Sequence, residues 1–327
     1  MFSKIKGRKT VEKFIPFTDK VFKYTGVWQS DNGNEIISYH TAAQLEFGFC
    51  GSEIKLKVKT IQTEYIEFLL DGEKIVPETE TDKLLVIKAA NSTHTLKIIM
   101  TRHSKLRFWG VYLDADKKLF KTDNNKYIQF IGDSITDAYP GFSTTVANNL
   151  GVDYSIVSLC GIALVNKWGW YKLIDGATER IGMESTYFSL NNPQEVICPP
   201  EYRFENCRIP DAFVIYLGTN DYISSEEQKA EGNCEFFAKK YFNFISKIIK
   251  RFSNKPIFIL QTHRDDPVRK EAIDNAYRLM NKKFKNIYLL DCYNWGIELQ
   301  SDGVHPTKNG YDVIAQRVTE YIKNKNF

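Results

Sequence analysis

Apolar and polar residues alternate along the first third of the chain. In Ile54-Lys55-Leu56-Lys57-Val58-Lys59 every second residue is lysine, and Leu45, Phe47 and Phe49 repeat the spacing just upstream. Period two marks strands with one buried and one wet face. Asp71-Gly72, between two apolar runs, predicts a hairpin turn. Further short runs at Leu84–Ile87, Thr95–Met100 and Phe108–Leu113 recur with turn residues between them, the rhythm of a sandwich or jelly roll. From about Val21 to Leu113 the expectation is therefore an all-β domain.

The rhythm changes after the polar stretch from Ala115 to Lys126. Candidate strands at Tyr127–Ile131, Tyr154–Leu159, Ala212–Leu217, Pro256–Gln261 and Ile287–Leu290 are separated by longer helical patterns. Phe237, Tyr241, Phe244, Ile248 and Phe252 fall at helical spacing, as do Tyr311, Ile314, Val318 and Tyr321 near the C-terminus. Alternating β and α predicts a parallel sheet with helices on both faces, giving a β-sandwich domain over residues 1–120 and an α/β three-layer domain over 121–327. Gly161 to Pro210 is a long connection where two to six residues are usual, and it is expected to overhang the site.

Length agrees with that division, since 327 residues at roughly 150 per domain make two. With 44 Lys and Arg against 40 Asp and Glu, the net charge of +4 is far from the clustered basic excess of a nucleic-acid binder. The basic run Lys4, Lys6, Arg8, Lys9 reads as a solvated tail, because no basic stripe continues it. No stretch approaches the ~20 apolar residues that span a bilayer, so no membrane insertion is expected. The start has basic residues without an apolar segment behind them, so the chain as written reads as cytoplasmic; a trimmed native N-terminus would make it extracellular or periplasmic. Cys50, Cys160, Cys198, Cys207, Cys234 and Cys292 show no CxxC pair, and the default is six reduced thiols. Cys198 and Cys207, in one loop, are the pair that would bridge in a secreted chain. His40, His94 and His103 have no ligand-like spacing, and no metal is assigned.

In α/β sheets ligands bind beyond the carboxyl ends of the strands. Those ends carry Gly132-Asp133-Ser134, Cys160-Gly161 and Gly218-Thr219-Asn220-Asp221, with Ser301-Asp302-Gly303-Val304-His305-Pro306 ahead of the last helix. The blocks GDSIT, Gly161, GTND and DGVHP, in that order, resemble those of the SGNH or GDSL-type hydrolases, and the resemblance spans the whole second domain. It implies a flavodoxin-like α/β fold and an ester hydrolase without a cofactor.

The residue types also make chemical sense by themselves. A serine hydroxyl is a weak nucleophile at neutral pH, so Ser134 needs a base, and His305 is the best placed of five histidines. Asp302, three residues earlier, is spaced to orient the imidazole and stabilise its cation. The resemblance nominates the backbone N–H of Ser134, that of Gly161 and the Asn220 amide as oxyanion donors. Competing readings remain at this level: Ser134 as a helix N-cap, Asn220 as a turn residue, and Asp133 and Asp221 as supports for loop N–H groups. His263-Arg264-Asp265-Asp266 lies on the same edge and reads more simply as loop polarity. Trp168, Trp170 and Tyr171 offer flat faces on which a sugar ring can stack, with core packing an equal reading.

The first domain carries a looser resemblance. FCGSEIKLKVKT, IEFLLDGEKI, NSTHTLKIIMTR and FWGVYLD look like the N-terminal jelly roll of carbohydrate esterase family two, whose members remove acetyl groups from polysaccharides. This implies a serine esterase that deacetylates a carbohydrate through an acyl-enzyme, with an acetylated carbohydrate as its partner. Two features depart from that pattern. Asp302 permits a triad where some relatives work with a Ser-His dyad, and Asp137-Ala138-Tyr139-Pro140 replaces an early glycine, which bears on the acyl pocket. The alternatives are a lipase or thioesterase of the same fold, or a non-catalytic carbohydrate-binding protein.

Overall fold

The computed structural model describes residues 11–31, 33–60, 63–79, 84–172, 179–188, 208–223, 233–253 and 255–327. Two compact units emerge, one of Met1–Tyr24, Trp28–Ser38 and Gln44–Asn124, the other of Thr25–Val27, Tyr39–Ala43 and Asn125–Phe327. The second unit thus starts a few residues later than the sequence pattern suggests and takes two short segments from the first third of the chain. His40 belongs to one of them and is buried outside any strand.

The first unit is all β. Its strands are β1 (Glu12–Pro16), β2 (Lys23–Thr25), β3 (Gln29–Asp31), β4 (Glu35–Ser38), β5 (Gln44–Thr60), β6 (Ile66–Leu70), β7 (Glu73–Ile75), β8 (Glu78–Thr79), β9 (Leu84–Met100), β10 (Leu106–Asp114) and β11 (Leu119–Phe120). Their main path runs β3-β4-β10-β5-β9-β6-β7, with the registered pairs antiparallel. Asp71-Gly72 forms the expected hairpin between β6 and β7, with positive φ at both residues (52° and 88°), as a type I′ turn requires.

Where the sequence suggests four short strands, two long ones stand. Leu45, Phe47 and Phe49 are buried at odd positions of β5, but Ile54, Leu56 and Val58 are buried at even ones. The switch falls between Gly51 and Glu53, where the register with β9 shifts and three residues of β9 face Ser52 alone. A bulge absorbs the surplus, so both halves of the strand keep their apolar side chains in the core. His94 anchors the irregularity, one ring nitrogen 2.8 Å from the Ala90 carbonyl oxygen and the other 2.7 Å from the Asp71 carboxylate.

The second unit alternates strand and helix: β12 (Tyr127–Gly132), α1 (Phe142–Leu150), β13 (Asp153–Ser158), α2 (Met183–Thr186), β14 (Ala212–Tyr216), α3 (Asn233–Phe252), β15 (Ile257–Leu260), α4 (Pro267–Asn281), β16 (Ile287–Leu290) and α5 (Lys308–Lys323). The parallel sheet has the order β13-β12-β14-β15-β16. Both faces are covered, which explains why β14 and β15 read as unbroken apolar runs. Phe130, Val214 and Phe258 pack with Phe142 of α1 and Ile314 and Val318 of α5. Ile131, Ile215 and Ile259 point the other way, toward Phe237 and Phe244 of α3 and Ile273 of α4. The chain leaves β12 for β13 on one side and returns to β14 on the other, so the sheet has its switch point at β12. Among the described residues no helix is long and apolar enough to cross a membrane.

The bulge makes a direct prediction. Leu56→Ala, at a fully buried even position, is expected to cost about 2–5 kcal/mol, whereas Lys59→Ala on the wet face should change stability by less than about 0.5 kcal/mol in urea denaturation.

Candidate active site

Three neighbouring strand ends deliver the candidate residues. After Gly132 the chain turns sharply, with the N–H groups of Thr136 and Asp137 both donating to the Asp133 carbonyl at 3.0 Å, and Ser134 rides on this turn. No helix starts at Ser134; α1 begins at Phe142 with Gly141 before it, so Ser134 does not serve as its cap. The Ser134 hydroxyl donates to His305 Nε2 at 2.8 Å. On the far side of the ring, Nδ1–H donates to Asp302 Oδ2 at 2.6 Å, which sets the tautomer that leaves Nε2 as acceptor. Asp302 Oδ1 also accepts the backbone N–H groups of Val304 and His305, each at 2.9 Å. The bond from the His305 ring and these two backbone bonds hold the Asp302 carboxyl well below the ordinary range, so it stays ionised.

The remaining candidates lie beside this chain. Gly161 adopts φ of 75°, and a Cβ there would stand 3.2 Å from Trp170 Cβ, so backbone and space both favour glycine. The Asn220 amide donates to the Ile162 carbonyl at 3.0 Å, tying the third strand end to the loop after Gly161 and leaving its second N–H. Cys160 precedes Gly161, and burial together with Asp137 pushes its thiol up to about 11. It is thus held protonated, the form in which a thiol is a poor nucleophile. The Asp137 carboxylate accepts the Ser158 hydroxyl at 2.8 Å and the Cys160 thiol at 3.5 Å.

Two buried carboxyls hold the loops. Asp133 accepts Ile135 N–H at 3.0 Å, and burial raises it to about 6. Asp221 accepts the N–H groups of Leu164 and Val165 at 2.8 and 3.0 Å, and burial raises it to about 7 against the pull of these bonds and of Arg269. Arg269, which no sequence signal marks, is buried and donates to the carbonyls of Gly218 and Asp221, bracing the turn that carries Asn220.

His263 differs from its reading as loop polarity. It is buried, accepts the Tyr216 hydroxyl on Nδ1 at 2.5 Å and donates from Nε2 to the Val304 carbonyl at 2.8 Å. The peptide before His305 is therefore clamped by Asp302 at its amides and by His263 at its carbonyl. Asp266 caps α4 by accepting Arg269 N–H at 3.0 Å, and Asp265 accepts the Tyr293 hydroxyl at 2.8 Å.

The three aromatics of the long connection divide. Trp168 and Tyr171 pack partly buried against the α3 side of the core, Trp168 with its ring 5.8 Å from that of Phe236. Trp170 is 65% exposed. The rest of that connection, with Cys198 and Cys207, lies largely outside the described residues; Cys50, Cys160, Cys234 and Cys292 are free thiols. Among the described residues no three His, Cys, Asp or Glu side chains gather into a metal-holding group.

Residues 128–318 match the family described as GDSL-like Lipase/Acylhydrolase. No curated protein sequence matches the chain. Among solved structures, a family two carbohydrate esterase from Cellvibrio japonicus is similar at a TM-score of 0.74 and 15% identity, covering 96% of this chain and 98% of its own. A family two carbohydrate esterase from Clostridium thermocellum, in complex with cellohexaose, has a TM-score of 0.71 at 20% identity over 93% of this chain and 98% of its own. An acetyl xylan esterase from the rumen bacterium Butyrivibrio proteoclasticus gives 0.70 at 16% identity, covering 96% and 99%.

The clamp on His305 is testable through His263. Burial first, then the charges of Arg264 and His305, lower its pKa from 6.5 to about 4 against the bond to Val304. The stabilisation from keeping it neutral is therefore complete above pH 6.5 and lost as pH falls toward 4. His263→Gln is expected to flatten the stability profile across that window in urea titrations. It should also lower kcat on any ester by about 10- to 100-fold with less change in KM.

Proposed function

The chain belongs to the GDSL-like lipase/acylhydrolase family, a family of carboxylic ester hydrolases, and on that premise we propose that its second unit is a serine esterase removing acetyl groups from a carbohydrate hydroxyl. The observation that carries the mechanism is the unbroken hydrogen-bonded line from the Ser134 hydroxyl through both His305 nitrogens to Asp302. Ser134 attacks the ester carbonyl while His305 Nε2 takes its proton, and the imidazolium is stabilised by the ionised Asp302. The oxyanion is met by the N–H groups of Ser134 and Gly161 and the free amide N–H of Asn220, each donor of this kind contributing about 3 kcal/mol. His305 returns the proton to the departing sugar oxygen. Water then attacks the acetyl-enzyme by the same route in reverse order, and Ser134 is released.

Carbohydrate as the alcohol side is supported by the fold shared with family two carbohydrate esterases over nearly the full chain, and by the solvent-facing Trp170 indole beside Gly161. Acetyl as the acyl group is supported by the acetyl xylan esterase among the structurally similar proteins and by the polar side chains of Asp137, Ser158 and Cys160, which are hydrogen-bonded together just before Gly161.

The test is hydrolysis of aryl esters from acetyl to octanoyl and of acetylated xylo-oligosaccharide. Wild type should favour acetyl, and Ser134→Ala should lower kcat by roughly 10⁴-fold or more. Asp302→Ala should retain the hydroxyl and base but lose the orienting bonds, for a fall of at least about 100-fold. A preference for long chains would contradict the acetyl assignment, and activity surviving Ser134→Ala would contradict the nucleophile.

A further inference from the structure

In the long connection after Gly161, Arg180 is held by two aromatic residues. The Arg180 guanidinium lies 5.0 Å over the Trp170 ring and 5.5 Å over the Tyr222 ring, and one of its N–H groups donates to the Tyr222 hydroxyl. Tyr222 in turn donates to the Gly169 carbonyl at 3.2 Å, so the group is locked into the loop. Among the described residues no carboxylate pairs with Arg180. Of the other buried or half-buried arginines among the described residues, Arg107 pairs with Glu35 at 3.0 Å, Arg208 with Asp153 at 2.5 Å and Arg269 with Asp266 at 3.2 Å, while Arg264 has no such partner.

Its place in the fold is what gives this arrangement a use. The N–H groups of Trp170 and Tyr171 donate to the Gly161 carbonyl at 2.8 and 3.1 Å, and Tyr222 follows Asn220 by two residues. The residues that hold the arginine are therefore bonded to Gly161 or close in sequence to Asn220, the two oxyanion donors proposed outside the serine turn. The two rings stand edge to face at 90° with centroids 5.8 Å apart, and beyond its bond to the Tyr222 hydroxyl the guanidinium has further N–H groups for a planar, two-oxygen acceptor, the partner that arginine binds through two parallel bonds.

We propose that Arg180, held by Trp170 and Tyr222, forms a subsite for a carboxylate carried by the substrate, so that the favoured substrates are acetylated glycans containing uronic acid. The assignment to the sugar rests on the esterase reading above: an acetyl group has no carboxylate, so the anion must lie on the alcohol side. Among the described residues no acid competes for the guanidinium, which leaves its charge for the ligand.

Binding and turnover test this separately. Unacetylated oligogalacturonide is titrated calorimetrically into wild type and Arg180→Gln, beside its carboxyl-reduced counterpart. Wild type should bind the acidic form about tenfold more tightly, the preference should vanish in Arg180→Gln, and added salt should weaken it. In turnover, the ratio of kcat/KM for acetylated oligogalacturonide over its carboxyl-reduced form should fall by the same factor in the variant. That ratio is independent of how much of each preparation is folded. An equal preference in wild type and variant, or none in wild type, would overturn the subsite. A preference for aryl hemisuccinate over aryl acetate that disappears in Arg180→Gln, with no preference among the sugars, would overturn the assignment to the sugar. Selective binding without hydrolysis of any ester would uphold the subsite and refute the esterase reading instead.

Discussion

Three hydrogen bonds converge on the Asp302 carboxylate, from the His305 ring and from the backbone N–H groups of Val304 and His305. Ser301, Asp302 and Gly303 are exposed, and the half-buried His305, the base proposed for Ser134, has little packing in such a loop to fix its direction. The carboxylate supplies what packing does not. It binds the ring and its own backbone together, so the imidazole cannot turn without breaking bonds to a charged acceptor. The His263 bond to the Val304 carbonyl then ties this local unit to the end of β15, and the sheet fixes where Ser134 stands.

The buried groups around the site follow one logic. Loops beyond the strand ends leave backbone N–H groups that cannot stay unpaired in the interior. Asp133 satisfies the serine turn and Asp221 satisfies the segment after Gly161, both as fully withdrawn carboxyls. Arg269 performs the complementary task on the carbonyls of Gly218 and Asp221. These side chains need touch no substrate. They keep the three strand-end loops rigid, and preorganised donors stabilise charge without a reorganisation cost.

What the sequence discloses depends on how far apart the interacting residues lie. Strands β14 and β15 are legible because burial on both faces leaves continuous apolar runs, and α3 and α5 because one face must be apolar. Asp302 and His305 can be paired because three residues separate them. His263 and Arg269 escape because their partners lie 41 and about 50 residues away and nothing local marks them. The long strands β5 and β9 are misread as shorter ones for a different reason: a bulge changes which parity faces the core, and a period-two pattern cannot carry that change. The cluster Trp168, Trp170 and Tyr171 shows the same limit, since adjacent aromatics divide between core and solvent according to a turn that the sequence does not display.

The central claim is that Ser134, activated by His305, carries the acyl group during turnover. Its most direct test is acid quenching of the protein in the first moments of reaction with 4-nitrophenyl acetate, followed by peptide mass mapping. The account predicts a burst of nitrophenol and a single acetyl group on the peptide containing Ser134, with neither seen in His305→Ala. Turnover with no acetylated peptide, or with the acetyl group on another residue, would contradict it.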